Sequence, residues 1–372
     1  TFFIFAALAF GYRYVKAPKI HWALLCGASL GLMLATKETS VLSYAAIVFS
    51  VVATYLWTRY RDGVSVNPRD IVKPAHLIAA TLLGLFICVA TVSGFFTNPK
   101  GCVDIFLTFL NYFHRAGGVG IHDHPWDYYF QILIGDKSGL KPHWNERPIL
   151  ALAAAGAVAT IIRKGPANNF ARFILLYTLA LSAIYALIPY KTPWCMLSFL
   201  HGMIILAGLG FLEVVKFVRN NVLRVVFIAA MAFAVYNMAN LAEQSNTRYC
   251  ADPRNPYVYG HTSPDILRLA KRVEDICRIS PDGVNTSIAV ITPDPWPLPW
   301  SLRKYKRVGY PQSPSGEIDS PIVITSQELL PEVESKLKGE YQSEFYGQRP
   351  EVLMPVFIRK DLWDTFINSQ SK

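Results

Sequence analysis

Eight apolar runs separated by short polar stretches, every second one basic, limit what this chain can fold into more than any other feature. A helix needs about 20 apolar residues to cross a bilayer. Runs of that kind fall at 1–12, 21–36, 40–58, 75–96, 148–162, 171–189, 194–215 and 222–241. They predict a membrane-embedded all-α helical bundle of about eight spans over residues 1–244. The basic stretches follow the first, third, fifth and seventh runs. They hold Arg13, Lys16 and Lys19; Arg59, Arg61, Arg69 and Lys73; Arg163, Lys164 and Arg172; and Lys216, Arg219 and Arg224. Loops rich in Lys and Arg stay in the cytoplasm. The opposite, extracytoplasmic face then collects the turn at 36–39, the long loop 97–147, the loop 190–194 and everything after about 242.

The composition agrees with this division. Hydrophobic residues make up 52% of the chain and charged residues only 17%, against about 25% charged in an ordinary soluble protein. The deficit is confined to the first two-thirds. The net charge of +10 would suggest a nucleic-acid partner in a soluble protein. Here the excess sits in short loops between apolar runs, so topology explains it and no nucleic acid is implied. Six cysteines are scattered without metal or redox spacing. Cys26 and Cys88 read as small hydrophobes, and Cys250 and Cys277 as a pair that an oxidising compartment would allow to bridge. The chain begins at Thr1 inside an apolar run and shows no signal peptide, which predicts upstream helices and an N-terminally truncated membrane part.

From residue 245 the periodicity changes. Ile266, Leu269, Ala270 and Val273 fall at helical spacing behind a Ser263 cap and Pro264. Residues 287–292 and 321–325 read as buried strands. Residues 351–358 read as another, placed at an edge by Pro355. Strands alternating with helices predict a soluble α/β domain over 245–372, extracytoplasmic by the loop rule.

Four constellations carry candidate chemistry. Lys37 and Glu38 follow a run of about 15 residues, or roughly 23 Å of helix against a hydrocarbon core of about 30 Å. At that depth an ionisable pair lines a hydrated cavity or is a snorkelling lysine with its counter-ion. In the loop at 111–126, Pro125 favours an extended His124, which turns His122 and His124 to one face. Two such imidazoles can share a divalent metal, bind phosphate or hydrogen-bond sugar hydroxyls; a loop satisfied by its own hydrogen bonds is the plain alternative. Gly117, Gly118 and Gly120 let backbone N–H groups approach an anion, and Arg115 adds charge. Trp126, Tyr129, Phe130 and Leu133 then recur at helical spacing, as an interfacial helix that walls a lipid tail or as an aromatic anchor.

Lys191 precedes Thr192, a cap residue, and Pro193, suited to a first helical position. A cation beside a helix N-terminus is an anion site or simply an interfacial lysine. In the soluble part, prolines hold Trp296 and Trp300 in a stiff segment. Exposed indole faces suit sugar rings or a membrane surface, and buried ones fill a core.

Six stretches in this order carry a resemblance: LATKET (34–39), HDHPWDYY (122–129), PYKTPW (189–194), NPYVYGHTSPDILRLAKR (255–272), DPWPLPWSLRKY (294–305) and FYGQRP (345–350). The chain resembles the membrane-protein family labelled flippase-activity-associated in archaeal N-glycosylation, which has bacterial members. That family is similar to the GT-C superfamily, alongside the dolichyl-phosphate-mannose protein mannosyltransferases. The resemblance implies a GT-C-like fold, an extracytoplasmic active site and a polyprenyl-phosphate-linked sugar donor. It also implies a catalytic acidic residue in a first outer loop, upstream of Thr1, which leaves Glu38 a supporting role.

The function expected from these residues is transfer of a sugar from a polyprenyl-phosphate donor to an extracytoplasmic glycan or protein acceptor. Lys37, Arg115 and Lys191 would hold phosphate. His122 and His124 would hold phosphate, sugar or metal, and Trp126, Trp296 and Trp300 would line the substrate sites. No cofactor is dictated beyond the metal option at the two histidines. The alternatives are a transporter or flippase component, and a non-catalytic scaffold of lipid-linked glycan assembly. Absence of an internal repeat, and polar residues gathered at one face, favour the enzyme over the transporter.

Overall fold

The computed structural model describes residues 1–64, 67–105, 107–108, 123–135, 142, 144–349 and 352–370. The chain divides into two compact units, Thr1–Gln244 and Ser245–Lys372.

In the first unit each apolar run forms a helix: α1 (Phe2–Lys16), α2 (Ile20–Thr36), α3 (Ser40–Asp62), α4 (Pro74–Val92), then, after the short α5 (Tyr128–Ile134), α6 (Arg147–Ile162), α7 (Asn169–Leu187), α8 (Leu197–Phe217) and α9 (Asn221–Asn246). Among the described residues, five helical stretches are long and apolar enough to cross a membrane by themselves: α3, α4, Pro166–Leu187, Pro193–Phe217 and α9. The expectation of eight spans is met in full length by these five; α2 and α6 are shorter apolar helices, and α1 has 15 residues.

Lipid tails are as apolar as leucine, so membrane helices associate through close packing of small residues. Two interfaces show this. A Cβ on Gly27 or Gly31 of α2 would strike the backbone of Ala80 or Gly84 of α4. A Cβ on Gly156 of α6 would strike the Leu206 carbonyl of α8, and one on Gly210 the Leu152 carbonyl. α3 buries a stripe of Ser40, Ser43, Ser50, Thr54 and Thr58. Two of these hydroxyls return their protons to the helix's own carbonyls, Ser50 to Ala46 and Thr58 to Thr54.

The far end of α3 corrects one expectation. Arg172, read as a topology-setting charge, is 0% exposed. Its guanidinium donates to both Asp62 oxygens at 2.6 and 3.1 Å and to the Arg163 carbonyl at 3.0 Å. It also lies over the Trp57 ring at 5.5 Å. Asp62 accepts a further bond from the Gly165 amide at 3.0 Å. Arg163 pairs with Glu213 of α8. The loops after α3 and α6 and the end of α8 are therefore joined at one end of the bundle.

The second unit is an α/β fold with a five-stranded sheet in the order β2 (Val308–Gly309), β1 (Ile288–Ile291), β3 (Ile322–Thr325), β5 (Val352–Arg359), β4 (Tyr341–Arg349). β1 runs parallel to β2 and β3, while β5 is antiparallel to β3 and β4. One face is covered by α10 (Asp265–Ile279), α11 (Leu298–Ser301) and α13 (Lys360–Gln370), through Leu269, Ile276, Leu298 and Phe366. The other face is covered by α12 (Leu330–Lys336), through Val333.

β5 is an interior strand, against the edge position expected from Pro355. The reason is local: pairing with β3 stops at Val356, so at Pro355 only β4 lies alongside. Cys250 and Cys277 are both free thiols, one exposed and one buried, so the bridge expected for them is not formed. The stretch leading into α10 is held by Asn255, 1% exposed, whose amide donates to Ser245 and to the Tyr249 carbonyl.

Two predictions follow from this packing. Gly31→Val should lower the stability of the purified full chain by about 2 kcal/mol or more, because the methyls must displace backbone. Gly208→Ala, with open space at its Cβ, should leave the thermal midpoint unchanged. The second prediction concerns Asp252, whose carboxyl is held at about 2 by the Arg254 guanidinium beside it. A depressed carboxyl stabilises the fold above its unfolded value of about 3.9 and loses that contribution as pH falls towards 2. Asp252→Asn should therefore cost about 1–2 kcal/mol at pH 6, after screening, and the difference should vanish as pH falls through about 2. Thermal melts of both proteins across that range check it.

Candidate functional site

Two of the sequence motifs meet at the end of the helical unit opposite the Arg172–Asp62 pair. Residues 123–124 run antiparallel to the segment after α7: Asp123 bridges Tyr190, and the His124 amide donates to the Pro189 carbonyl at 3.1 Å. Lys191 locks this contact. Its Nζ donates to the His124 carbonyl at 3.2 Å and to the Ile188 carbonyl that ends α7. A cation over the last carbonyls of a helix is where the helix dipole favours one. Lys191 is 1% exposed. Burial pushes its ammonium below the usual lysine range, and the nearby Asp123 carboxylate partly opposes that shift. Two of its three N–H bonds are committed to the chain itself.

The expected cap on the following helix takes a different form. Pro193 opens a short 3-10 turn ahead of α8, as its fixed φ suits, but Thr192 makes no side-chain cap. Its Oγ1 lies 3.1 Å from Cys195 Sγ.

A third motif joins the same end. Lys37 leaves α2 in an extended conformation (φ −160°, ψ 132°), which breaks the helix before α3. Its exposed ammonium lies 5.9 Å from the centre of the Trp194 ring. Among the described residues neither Lys37 nor the half-buried Glu38 makes a side-chain hydrogen bond or ion pair. The two therefore stand at the bundle end as a cation held by an indole face and a carboxylate beside it.

Beneath these loops lies a floor of aromatic rings. Tyr129, Tyr185 and Phe199 are buried, with ring centres 5.7 to 6.4 Å apart. This changes the reading of the helix after Pro125. Tyr129 and Leu133 face the bundle at 2% and 0% exposure, while Trp126, 69% exposed, precedes α5. Helical spacing does not distinguish a lipid-facing stripe from one packed on other helices. His124 stacks on Tyr128 at 4.0 Å. Arg115 and His122 lie outside the described residues, as do Gly117, Gly118 and Gly120. Among the described residues no three His, Cys, Asp or Glu side chains gather as metal ligands.

His201, one turn into α8, went unread in the sequence. Its ring lies 5.7 Å from that of Tyr177, whose hydroxyl donates to the Ser198 carbonyl at 3.2 Å. Among the described residues both ring nitrogens are shielded and find no hydrogen-bond partner. An ionisable residue inside an apolar run was the available signal.

In the second unit the three C-terminal motifs also meet. Gln348, 3% exposed, donates from Nε2 to the carbonyls of Asp294 (2.9 Å) and Trp296 (2.7 Å). Its own carbonyl accepts from the Ser263 amide at 2.8 Å. Arg349 pairs with Asp294 at 2.9 Å, and the Gly347 amide donates to Asp265 at 3.2 Å. This clamp holds Trp296 and Trp300 at the surface, 59% and 64% exposed, so neither fills the core. Arg303 covers Trp300 at 4.0 Å.

A scan of protein-family models and a search of curated proteins found no match, so the flippase-associated family stays a resemblance in six motifs. Among solved structures the chain is similar to the crystal structure of ArnT from Cupriavidus metallidurans bound to undecaprenyl phosphate. The two are 13% identical with a TM-score of 0.51, over 94% of this chain and 72% of that one. At this identity the likeness shows a shared fold alone.

The Lys191 geometry makes a direct prediction. Lys191→Met keeps the bulk of the stem but leaves two shielded carbonyls without their donor, which should cost about 2 kcal/mol of stability. Hydrogen exchange should quicken at 123–126 in the full chain. Unchanged melting and exchange would show that the ammonium does not hold this segment.

Proposed function

We propose that the chain acts as a membrane glycosyltransferase, moving a sugar from a polyprenyl-phosphate-linked donor to a glycan or protein acceptor on the extracytoplasmic side. The observation that carries this reading is the assembly of Lys37, Glu38, His124, Lys191 and Trp194 at one end of a bundle that shares its fold with a protein bound to undecaprenyl phosphate. The basic stretches after α1, α3, α6 and α8 belong to the opposite end, which supports an extracytoplasmic position for the assembly.

The chemistry needs two services. The acceptor hydroxyl must lose its proton as its oxygen bonds to the anomeric carbon, and the bond from that carbon to the phosphate oxygen must break. The leaving polyprenyl phosphate gains negative charge, which cations at the membrane surface stabilise. Lys37 is the exposed cation suited to this. The last N–H of Lys191 and the charge of Arg115 would act behind it. Glu38, in a supporting role, would help to hold the acceptor hydroxyl. His124, stacked and half-buried, would serve the sugar, as would His122, and Trp126 offers its exposed ring to the lipid. In the soluble unit Trp296 and Trp300 present indole faces to the acceptor.

Lys37→Ala should reduce kcat/KM for a polyprenyl-phosphate sugar about 10- to 100-fold, the worth of one charge-assisted hydrogen bond to phosphate. The thermal midpoint should not change, because Lys37 is exposed and its ring contact is weak at an exposed site. Transfer assays on the full chain in nanodiscs decide this. Wild-type kinetics in the variant would remove Lys37 from the phosphate site.

A further inference from the structure

The segment from α11 to β2 has an apolar side and a basic side. Leu298, Leu302 and Tyr305, at 0%, 1% and 8% exposure, turn inward and join the core on one face of the sheet. Backbone bonds fix the turns between them. The Leu302 amide donates to the Leu298 carbonyl at 2.8 Å, and the Tyr305 amide to the Leu302 carbonyl at 3.0 Å. This near-helical spacing leaves Trp300, Arg303, Lys304, Lys306 and Arg307 on the outside, and all five are exposed. The far end is equally fixed. The Lys306 amide donates to the Val284 carbonyl at 3.0 Å, and the Arg307 carbonyl accepts from the Ile288 amide at 2.9 Å. Val284, 48% exposed, therefore adjoins the basic run. β2, which follows, is an edge of the sheet, so the run lies on the rim of the unit.

Little negative charge answers these cations. Residues 295–316 contain no Asp or Glu. Lys304 pairs with Glu274 at 3.0 Å, a carboxylate that Arg278 also approaches at 3.8 Å. Asp282, two residues before Val284, is exposed and offsets at most one more charge. Arg303 is engaged by neutral groups. It donates to the Trp300 carbonyl at 2.6 Å, and its guanidinium lies 4.0 Å from the centre of the Trp300 ring. Among the described residues the side chains of Lys306 and Arg307 make no ion pair or hydrogen bond. A guanidinium resting on an indole and two unpaired cations thus stand on rigid backbone.

An occupant must supply negative charge along the run and receive an indole. The five side chains are exposed along the chain, an arrangement that suits an extended anionic surface better than a single small anion. An anionic bilayer offers phosphates at high density and an interfacial layer where indole rings settle. Such a surface is tethered to this unit. Ser245, its first residue, falls in the last turn of α9, whose 26 residues are long and apolar enough to cross a membrane. A unit of this length is roughly 35 Å across, so the tether keeps lipid within reach and weak contacts suffice. A free acidic polymer has similar charge but no such tether. We infer that the basic run Arg303–Arg307, with Trp300, is a docking surface for anionic lipid headgroups.

Docking is independent of sugar transfer, and it separates the two tryptophans: Trp296 keeps the acceptor role given above, and Trp300 belongs to the lipid contact. The full chain would be placed in nanodiscs of phosphatidylcholine, or of equal parts phosphatidylcholine and phosphatidylglycerol, with acyl chains brominated near the headgroup or left plain. Trp300 emission is the difference between the wild-type chain and Trp300→Phe. In the anionic discs at low salt, bromination should quench that emission about twofold. Salt at about 1 M, where the Debye length is about 3 Å, should restore it. Discs of phosphatidylcholine alone should show no quenching. Lys306→Gln combined with Arg307→Gln should weaken docking about 25-fold, about fivefold per charge, and restore the emission without moving the thermal midpoint. The inference is overturned if bromination leaves Trp300 unaffected in the anionic discs, or quenches it equally in both compositions. It is also overturned if the folded double variant is quenched like wild type. Absence of quenching, together with capture of dextran sulfate that the double variant loses, would assign the run to an acidic polysaccharide instead.

Discussion

A buried ammonium, that of Lys191, joins the pieces on which the candidate site depends. Its two carbonyl partners belong to different parts of the chain, Ile188 at the end of α7 and His124 in the loop that returns from α4. Desolvating an ammonium is costly, so a lysine this deep persists only where fixed dipoles replace its water. The last carbonyls of α7 supply one such dipole and His124 the other. Once the loop is fixed there, Tyr129 falls into place against Tyr185 and Phe199, and the turn at 190–194 presents Trp194 to Lys37. The exposed cation and the buried one thus serve different ends. Lys191 spends most of its charge on architecture, while the charge of Lys37 remains available at the surface.

The other end of the bundle repeats the logic with opposite emphasis. Arg172 and Asp62 are both shielded and satisfy one another, with Arg163 and Gly165 completing the network. Breaking one partner of such a pair leaves the other charge buried and uncompensated. Between the two polar ends the bundle relies on glycine approach and on hydroxyls that return to their own helix. These devices need no water and suit a hydrocarbon environment.

Much of this was legible in the sequence, for physical reasons that differ by level. Apolar run length and basic-loop alternation revealed the helices because the bilayer penalises any other arrangement. Strands 288–291 and 322–325 were readable because both faces are buried and the run is continuously apolar. β4 was missed, since Tyr341–Arg349 is polar, half-exposed and without clean alternation. Arg172 was counted as a topological charge because a one-dimensional reading cannot pair it with Asp62, 110 residues away. Lys191 was read from its neighbour Pro193 as a helix-start cation, yet its ammonium turns back to the preceding helix. Side-chain direction, unlike residue order, is decided by tertiary contacts. The same holds for Pro355, which marks an edge only where β3 has ended.

The two units carry different chemistry. At the helical end the groups left over after structural demands are met are a cation, a carboxylate and indole and imidazole rings, a set suited to phosphate and to proton movement. In the second unit the prolines after β1 remove N–H groups that an anion would use. A lipid-phosphate sugar contains both chemistries, a charged linkage and a polyhydroxy ring, whereas a glycan acceptor contains only the second. Keeping the Trp296 indole 59% exposed on backbone fixed by Gln348 leaves an apolar face at the surface that a partner can cover.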